Sequence, residues 1–450
     1  MKNSMFNVFV PFDCERHLLF NTLFRSVAVI DNDLKEMLER GEIERGMVEE
    51  RLLCGLKDLG AVKEEEMDEL NFYEDMHRRW KENTDISSFI IYPTFACNLS
   101  CPYCYEKELE NTKGSMNEEK IQSVLSFIKK ATILNKSSRI TLGFFGGEPL
   151  LEQELCFRIA KEIYAWCEER GIKYYGTLTS NGTLLAEDTL ERLGRYISSV
   201  QFTIDGYNES HDAKRFFKDG RGTYEIVMAA TSRFLQTGKQ VALRIHITED
   251  LLNLRELFED IKRRGFDMNS NFHFYFSLTA PSNACINFHR EELFLESLKN
   301  AHKLMPLARA IATDAGLRHC LDAEKSLGET VGLSCDYLKE GMHMIDPRGD
   351  VYHCPVFTGQ KEYSLGTIEA DGEVCWTKVY YDLMDRNPAA ISGCKSCPLL
   401  PLCAGGCPIS AKMRNGTFNS CGCADAWSSI EGIKASIKNY FMETEGWYGS

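Results

Sequence analysis

From residue 86 onward, short apolar runs alternate with longer stretches whose apolar residues recur every three or four positions. The first pattern predicts buried β-strands and the second predicts amphipathic helices. Strands separated by helices of this length pair in parallel, so the order predicts an α/β fold with an open or partial (β/α)6 barrel over residues 86–310. Chemistry in such folds lies at the carboxyl ends of the strands. The six apolar runs are SSFIIYPT, RITLGFFGG, IKYYGTLTSNG, SSVQFTIDG, QVALRIHITED and NFHFYFSLT.

The flanking regions have different patterns. Residues 6–60 read as two or three short strands (FNVFV, then HLLFNTLFRSVAVI) followed by helices around DLKEMLE and EERLLCGLKDL, which predicts an α+β domain over residues 1–85. The charged segment KEEEMDEL and the polar stretch after it are interpreted as a solvated helix face or linker. A helical stretch, EELFLESLKNAHKLMPLARAIAT, leads into a third domain over residues 311–450, in which we expect little regular structure.

Charge and hydropathy exclude two classes of partner. The chain has 52 Lys and Arg against 66 Asp and Glu, and a net charge of −14 opposes a broad phosphate-binding surface, so we expect no nucleic acid. No stretch approaches the roughly 18 uninterrupted apolar residues that span a bilayer, and the first residues have no apolar signal core. We therefore expect a cytoplasmic protein with no membrane partner.

The chain has 18 cysteines, which is unusual for a protein without an export signal. In a reducing cytosol such cysteines are more often metal ligands or catalytic groups than disulfides. Scattered cysteines such as Cys156 and Cys167 are most simply small buried residues. The others concentrate in a tight group after the first barrel strand and in a larger group near the C-terminus.

The first group is Cys97, Cys101 and Cys104, in a CxxxCxxC loop. A [4Fe–4S] cluster takes four thiolates, so three in one loop leave one iron open for another ligand. The alternatives are a zinc site with a distant fourth ligand, or a turn with idle thiols.

This loop and the segments after it resemble the motifs of radical S-adenosylmethionine (radical SAM) enzymes. Phe144-Phe145-Gly146-Gly147-Glu148-Pro149 resembles the GGEP motif, and Thr179-Ser180-Asn181-Gly182 resembles the segment near the SAM ribose and carboxylate. Thr203-Ile204-Asp205-Gly206 with His211-Asp212 and Arg215 resembles the S-x-D-G and HD-x-x-R segments, although Thr203 replaces the usual serine. The resemblance implies that one cluster and SAM generate a 5′-deoxyadenosyl radical. The SAM contacts that it implies are Tyr103, Gly146, Gly147, Glu148, Ser180, Asn181, Asp205 and Arg215.

Two of these residues have simpler interpretations. His211 alone is more typical of a local hydrogen-bonding residue than of a catalyst. Arg215 either clamps a carboxylate or caps a helix.

The C-terminal cysteines resemble the SPASM extension of radical SAM enzymes. The pattern is a cysteine, a GxxxxC, a CxxCx5CxxxC and a final cysteine, and seven or eight thiolates are too many for one cluster. The resemblance implies two auxiliary [4Fe–4S] clusters, three with the SAM-binding one. The alternative is a pair of zinc ribbons. Auxiliary cluster I would take Cys335, Cys354 and Cys407, and Cys320 either supplies the fourth ligand or is idle. Auxiliary cluster II would take Cys394, Cys397, Cys403 and either Cys421, which we prefer, or Cys423.

The N-terminal domain resembles the PqqD-like winged-helix recognition element of enzymes that modify ribosomally synthesised peptides. An exposed strand edge there captures a leader peptide as an added strand. The alternative is a domain that only shields the barrel. The resemblance implies a precursor peptide as substrate and a flavodoxin- or ferredoxin-type reductant.

The activity we expect is that of the sactipeptide and ranthipeptide maturases, which form thioether crosslinks from a cysteine sulfur to an acceptor carbon. Carbon–carbon or ether crosslinking shares every motif. A sulfatase-maturing enzyme is a further alternative, but that class carries an acid two positions after the GxxxxC cysteine, where this chain has Val356. A non-enzymatic electron-transfer or scaffold protein is the last alternative, and an electron carrier has no need of a SAM-binding barrel.

Overall fold

The structure is a computed structural model with two compact groups of residues. We call Met1–Glu82, Asp322–Leu338 and Asp382–Ser450 the terminal unit, and Asn83–Leu321 and Lys339–Tyr381 the barrel unit. Cys285, Cys320, Cys423 and most of the predicted helix at 291–313 lie outside the described residues. The structure describes residues 1–41, 43, 49–107, 109, 114–247, 251, 253–278, 304–305, 307–317, 335–422, 434, 437–438 and 441.

The N-terminal part of the terminal unit consists of two small antiparallel sheets and three helices. Strands β1 and β5 pair with each other, and β2, β3 and β4 form a sheet with β3 in the centre. The sequence pattern predicted the strands of the three-stranded sheet and the first two helices, but not β1 or β5. The elements are β1 (Lys2–Asn3), β2 (Asn7–Pro11), β3 (Arg16–Asn21), β4 (Ser26–Asp31), α1 (Asn32–Arg40), α2 (Glu50–Asp58), β5 (Val62–Lys63) and α3 (Glu69–Glu82).

The three-stranded sheet buries both of its faces. Because side chains alternate along a strand, Leu18 and Phe20 point to one face of β3 while Leu19 points to the other. Leu19 packs with residues of α1 and α2, such as Leu38 and Leu56, in a core built from the N-terminal segment alone. Leu18 and Phe20 instead pack with apolar residues of the C-terminal segment, namely Leu399, Leu402, Ile437 and Phe441.

The stretch interpreted as a solvated helix face or linker contains helix α3, which has a solvated face, as with Arg78 and Arg79, but also a buried face that was not predicted. Glu69, Tyr73 and His77 follow one another at four-residue spacing and lie on one buried face of the helix. Glu69 is 1% exposed, and its carboxylate accepts hydrogen bonds from the Ser4 hydroxyl and from the Met5 backbone N–H. The acidic run at its N-terminus concealed this apolar face in the sequence.

The barrel unit is built on six consecutive parallel strands that lie side by side in chain order, β6 to β11. This confirms the predicted α/β fold with a parallel sheet. The core is the apolar contact between these strands and their helices, with Phe89, Ile140, Phe202 and Leu243 fully buried. The strands are β6 (Ile86–Ile91), β7 (Arg139–Phe144), β8 (Lys173–Thr179), β9 (Ser199–Ile204), β10 (Gln240–Ile247) and β11 (Phe272–Leu278).

The helices between these strands begin and end at recognisable signals. Asn117 caps the first of them by accepting the Lys120 N–H, and Gly171 ends the second in a left-handed conformation at φ 66°. The helices are α4 (Glu118–Leu134), α5 (Gln153–Arg170), α6 (Glu187–Leu193), α7 (Glu209–Asp212), α8 (Tyr224–Gln236) and α9 (Asn253–Arg263).

The sheet continues beyond β6 in a region where little regular structure was expected. Strand β12 pairs in parallel with β6, and β13, β14 and β15 follow as an antiparallel meander. Very short strands of three or four residues carry too weak a periodicity to be predicted from sequence. The remaining elements are β12 (Met342–Ile345), β13 (Asp350–Tyr352), β14 (Gly366–Ile368), β15 (Val374–Trp376), α10 (Lys378–Met384), α11 (Leu400–Cys403) and α12 (Pro408–Asn415).

Short 3-10 turns join several of these elements. They are Pro149–Glu152, Gly194–Tyr196, Phe266–Met268, Asp336–Leu338, Lys361–Tyr363 and Pro388–Ala390. In the described part of the chain, none of the helices combines the length and apolarity that crossing a membrane requires.

Candidate functional site

The CxxxCxxC loop follows β6 directly, at the carboxyl end of the first parallel strand. The Ser100 N–H donates to the Phe216 carbonyl, which fixes the loop against the segment after β9. The Cys97 sulfur accepts from the Leu99 N–H at 3.4 Å and from Asn181 Nδ2 at 3.8 Å. The loop is therefore held from two other strand ends, as the location of chemistry in such folds predicts.

The thiols of this loop are weak acids in the protein alone. Burial raises the pKa of the Cys97 and Cys104 thiols to about 12. An iron–sulfur cluster binds thiolates, so its assembly must remove these protons. The Arg215 guanidinium lowers the pKa of Cys97 but does not outweigh burial.

The two glycines of the GGEP segment allow a close backbone approach to the cysteine loop. Gly146 has φ 119°, and a Cβ on it would lie 2.6 Å from the Thr94 carbonyl oxygen. A Cβ on Gly147 would lie 2.2 Å from the carbonyl oxygen of Ala96. Only glycine permits both the backbone angle and the contact, so the segment forms one side of a cradle around the loop.

Glu148 joins the second and third motifs. It is fully buried, and its Oε1 accepts from the Ser180 hydroxyl at 2.9 Å and from the Leu150 N–H at 3.0 Å. Its Oε2 accepts from the Asn181 N–H at 2.7 Å. Burial raises the pKa of Glu148, although these three donors act in the opposite direction. A carboxylate offers about four acceptor positions, so one stays available for a cationic ligand such as an ammonium group.

A second polar network crosses the ends of β9 and β10. The Tyr103 hydroxyl donates to Asp205 and accepts from Arg215 Nη1 at 2.9 Å, and His246 Nδ1 lies 2.8 Å from Asp205 Oδ1. Although burial raises it, the pKa of Asp205 is held well below its usual range by its neighbours His246, Arg215 and Tyr103. Burial lowers the pKa of His246, and the neighbouring Asp205 acts in the opposite direction.

His211 lies behind this network. The Asp205 N–H donates to His211 Nδ1 at 3.2 Å, and His211 Nε2 is 3.0 Å from the Thr223 hydroxyl, which donates to the Arg215 carbonyl. Burial lowers the pKa of His211 to about 3, so the ring is neutral. These contacts are those of a local hydrogen-bonding residue. The Arg215 side chain contacts Tyr103 in the same network.

The C-terminal cysteines Cys394, Cys397 and Cys421 lie in turns and loops of the terminal unit, Cys403 is the last residue of α11, and Cys407 is the N-cap of α12. The Cys407 sulfur accepts from the Ser410 N–H at 3.5 Å, as a helix cap. A Cβ on Gly405 would lie 3.5 Å from the Cys394 sulfur, and one on Gly393 would lie 3.5 Å from the Cys421 sulfur. These loops therefore keep side chains away from two of the thiols, which suits a bulky cluster.

The proposed ligands of auxiliary cluster I are divided between the units. Cys335 and Cys407 belong to the terminal unit, and Cys354 follows β13 in the barrel unit. The Cys354 carbonyl accepts from the N–H groups of Phe357 and Thr358 in a tight turn. Among the described residues, no three or more His, Cys, Asp or Glu side chains are arranged for a single metal ion.

Two buried polar residues near the motifs, Glu106 and His246, were not predicted. Glu106 is buried, burial raises its pKa to about 8, and its Oε1 has no hydrogen-bond partner among the described residues. The sequence signal for His246 is that it is a polar residue near the end of an apolar strand. The signal for Glu106 is weaker, since it is a single acid directly after the Cys-Tyr pair.

Comparison with known proteins agrees with this geometry. The Radical SAM superfamily model matches residues 91–248. A cysteine-type anaerobic sulfatase-maturating enzyme of Clostridium perfringens (strain 13 / Type A) is 22% identical over 342 residues, which are 71% of this chain and 88% of that protein. The mycofactocin maturase MftC of Mycolicibacterium smegmatis is 23% identical over 344 residues, which are 72% of this chain and 78% of that protein.

Two solved structures share the fold. Native anSMEcpe with bound AdoMet aligns with a TM-score of 0.59 at 19% identity, over 80% of this chain and 98% of that one. Streptococcus suis SuiB bound to the precursor peptide SuiA aligns with a TM-score of 0.53 at 16% identity, over 95% of this chain and 100% of that one.

Residues 91–248 thus form a radical SAM domain, which confirms the resemblance seen in the motifs. The two solved structures show that the fold is shared.

Proposed function

We propose that the protein is a radical SAM peptide maturase that forms thioether crosslinks, from cysteine sulfur to an acceptor carbon, in a ribosomally synthesised precursor peptide. The observation that carries the proposal is the presence, in one chain, of a radical SAM domain and an N-terminal sheet with an edge that a peptide can join. SuiB, which was solved with its precursor peptide SuiA, aligns over 95% of this chain.

The edge strand for a leader peptide is β4. It lies at one side of the β2–β3–β4 sheet, and in the described part of the chain no strand pairs with its outer edge. Its side chains are mostly exposed or half-buried, and Val29 is 39% exposed. An extended peptide gains backbone hydrogen bonds by adding to such an edge. We accordingly assign residues 1–85 to leader binding, 86–310 to the radical SAM barrel and 311–450 to the SPASM domain.

The described residues of the barrel fit one [4Fe–4S] cluster and SAM. Cys97, Cys101 and Cys104 would hold the cluster, and the two GGEP glycines let their backbone pack closely against the loop that carries these cysteines. When bound, the cluster and SAM supply the 5′-deoxyadenosyl radical, and the two auxiliary clusters supply a centre that takes up an electron. The chain supplies charge and orientation, with Glu148 for an ammonium group and Arg215 for a carboxylate.

The two auxiliary sets are assigned by pattern. Cys394, Cys397, Cys403 and Cys421 would hold auxiliary cluster II in loops whose glycines leave room beside the sulfurs. Auxiliary cluster I would take Cys335, Cys354 and Cys407, and Cys320 lies outside the described residues. A flavodoxin- or ferredoxin-type protein of the cytoplasm would supply the electron that SAM cleavage consumes.

The test is turnover of a precursor peptide by the full-length, anaerobically reconstituted protein. The substrate is the product of a short cysteine-bearing reading frame beside the gene, given with SAM and dithionite. Each thioether removes one hydrogen from the acceptor carbon and one from the thiol, so we expect a peptide lighter by two hydrogens per crosslink and resistant to thiol alkylation. The Cys403→Ala variant should still cleave SAM but form no product, and the exposed Cys375→Ala is its matched control.

The outcomes separate the alternatives. A peptide recovered with free thiols and unchanged mass contradicts the proposal. Loss of two hydrogens with every thiol still open to alkylation indicates a carbon–carbon or ether crosslink. A peptide in which a cysteine has lost its sulfur and become an aldehyde indicates sulfatase-type maturation, which the 22% identity to the Clostridium perfringens enzyme keeps as the second candidate.

A further inference from the structure

Arg386 is a buried cation that neither the cysteine motifs nor the barrel site involves. It lies two residues after α10 and is 3% exposed. Its guanidinium donates only to backbone carbonyls. Nη2 donates to Gly405 at 2.9 Å and to Ala404 and Gly406 at 3.3 Å, and Nη1 donates to Ser420 at 3.0 Å and to Phe418.

The acceptors belong to the two loops that present cysteines. Residues 404–406 connect Cys403 to Cys407, and the other two carbonyls come from the segment that leads into Cys421. One planar guanidinium therefore fixes the separation of these two loops, since its donors point in set directions. A Cβ on Gly405 would lie 2.8 Å from Arg386 Nη2 and 3.5 Å from the Cys394 sulfur, so the guanidinium and this thiol border the same small space.

Among the described residues, the positive charge of Arg386 has no carboxylate partner. No Asp or Glu oxygen of these residues lies within ion-pair distance of it, and its buried Nε–H has no acceptor there. Burying an unpaired charge is costly, so such a charge normally has an anionic neighbour. The neighbours that can become anionic are the thiols of Cys394, Cys407 and Cys403 and the Tyr73 phenol, all of which act to raise the pKa of Arg386 against the effect of burial.

Those thiols would carry negative charge when they bind iron. Four thiolates on an oxidised [4Fe–4S] core give a net charge of about −2, and reduction by one electron makes it more negative. A fixed cation beside the cluster favours the reduced state, because it offsets the added charge.

We propose that Arg386 is a positioning residue of auxiliary cluster II, whose buried charge compensates the cluster held by Cys394, Cys397, Cys403 and Cys421 and raises its reduction potential. The inference rests on the proposed function, in that it requires this cluster to exist. The inference adds to the proposed function a residue that sets how readily the cluster takes up an electron. Reduction of the cluster adds one electron to it and makes or breaks no bond.

The test is a potentiometric EPR titration with iron and sulfide analysis, in full-length protein whose Cys97, Cys101 and Cys104 are replaced by alanine. This background removes the signal of the SAM-binding cluster. Arg386→Gln removes the charge and retains an amide donor, and Arg386→Lys retains the charge. Lys395→Gln is the matched control, because it removes a cation from the exposed turn between Cys394 and Cys397, where water and salt screen it.

We expect Arg386→Gln to keep its iron while one midpoint potential falls. The expected change in the reduction equilibrium constant is on the order of tenfold, which is about 59 mV for one electron. Arg386→Lys and Lys395→Gln should change the potential several times less. Unchanged potentials in an iron-replete Arg386→Gln protein would overturn the proposal.

The variants also separate a structural role from an electrostatic one. If Arg386→Gln loses its iron, an Arg386→Lys protein with iron and a near-normal potential supports the proposal, whereas loss of iron in both shows a purely structural residue and overturns it. A background protein that binds no iron at all would overturn the cluster assignment itself. That failure is distinct, because it appears before any substitution of Arg386.

Discussion

The two cysteine groups of this protein lie in contrasting environments. The barrel group follows a strand of a regular parallel sheet, and its cation, Arg215, is linked through Tyr103 to the carboxylate of Asp205. The C-terminal group lies in irregular loops, and its cation, Arg386, is bound by carbonyls and has no carboxylate among the described residues. A binding site can thus have its charges balanced by its own side chains, as around Arg215, or it can contain a charge that the bound group balances, as we propose for Arg386.

The contrast suggests different responses to the loss of each group. In the barrel site, Asp205 balances Arg215 through Tyr103 without iron, so we expect removal of the iron ligands to disturb the surrounding residues little. The proposed C-terminal site would depend on iron for its charge balance, and we expect its surroundings to be more sensitive to metal removal.

The largest effect should come from the barrel thiols. Replacement of Cys97, Cys101 and Cys104 by alanine should abolish release of 5′-deoxyadenosine from SAM, because no open iron is left to bind it. The C-terminal iron should stay bound. Chromatography of the nucleoside product with iron analysis checks both expectations, and SAM cleavage by the triple variant would contradict the assignment.

Glu148→Gln should weaken SAM binding by about 10- to 100-fold, because it replaces a buried carboxylate and its three charge-assisted hydrogen bonds with a neutral amide. Equilibrium dialysis of SAM with the reconstituted protein measures this. Glu154→Gln is the matched control, since Glu154 is exposed and pairs only with Arg192 at the surface. Equal affinities for the two variants would show that Glu148 only supports the fold.

Tyr103→Phe should have a smaller effect. It removes the hydroxyl between Asp205 and Arg215 and leaves the ring in place, so we expect SAM affinity to fall about 3- to 10-fold with iron content unchanged. Tyr175→Phe, which removes a surface hydroxyl bonded to Gln240, serves as the control. A Tyr103→Phe protein with normal affinity would mean that the network does not orient Arg215 for its ligand.

The last effect is on stability and concerns pH and the terminal unit. Burial lowers the pKa of His77 from 6.5 to about 4, so the folded protein keeps this ring neutral while the unfolded chain takes up a proton below about pH 6.5. The free energy of unfolding should therefore fall by about 1–3 kcal/mol as the pH decreases from 6.5 to 4.

Urea titrations across this pH range, on wild type and on His77→Phe, measure the contribution. The phenyl ring retains the packing against Tyr73 and Trp80, and it cannot titrate. An equal slope in both proteins would assign the acid sensitivity to other groups.

The barrel was predictable because its signals are local. Six apolar runs became six strands, and the glycine and cysteine motifs lie at their ends, where parallel topology brings them together. Glu148 of the GGEP segment was predicted as a site residue. Its bonds to Ser180 and Asn181 were not predicted, since they join segments about 30 residues apart.

The terminal unit was less predictable for a physical reason. Arg386 stands in a polar stretch that looks exposed, and its burial depends on two loops that follow it in the chain. Helix α3 likewise looks exposed in the sequence, because the burial of Glu69 depends on contacts with Ser4, Met5 and Lys63. Such contacts have no local pattern.

The apolar core that Leu18 and Phe20 share with Leu399 and Leu402 imposes an order on synthesis. The ribosome makes the N-terminal sheet first, and the helices α1 and α2 can cover one face at once. The other face needs residues that follow Glu82 by roughly 300 positions, which takes on the order of 15–60 s to translate. The barrel is translated before that face can be covered, so the N-terminal sheet completes its packing after the barrel has been made.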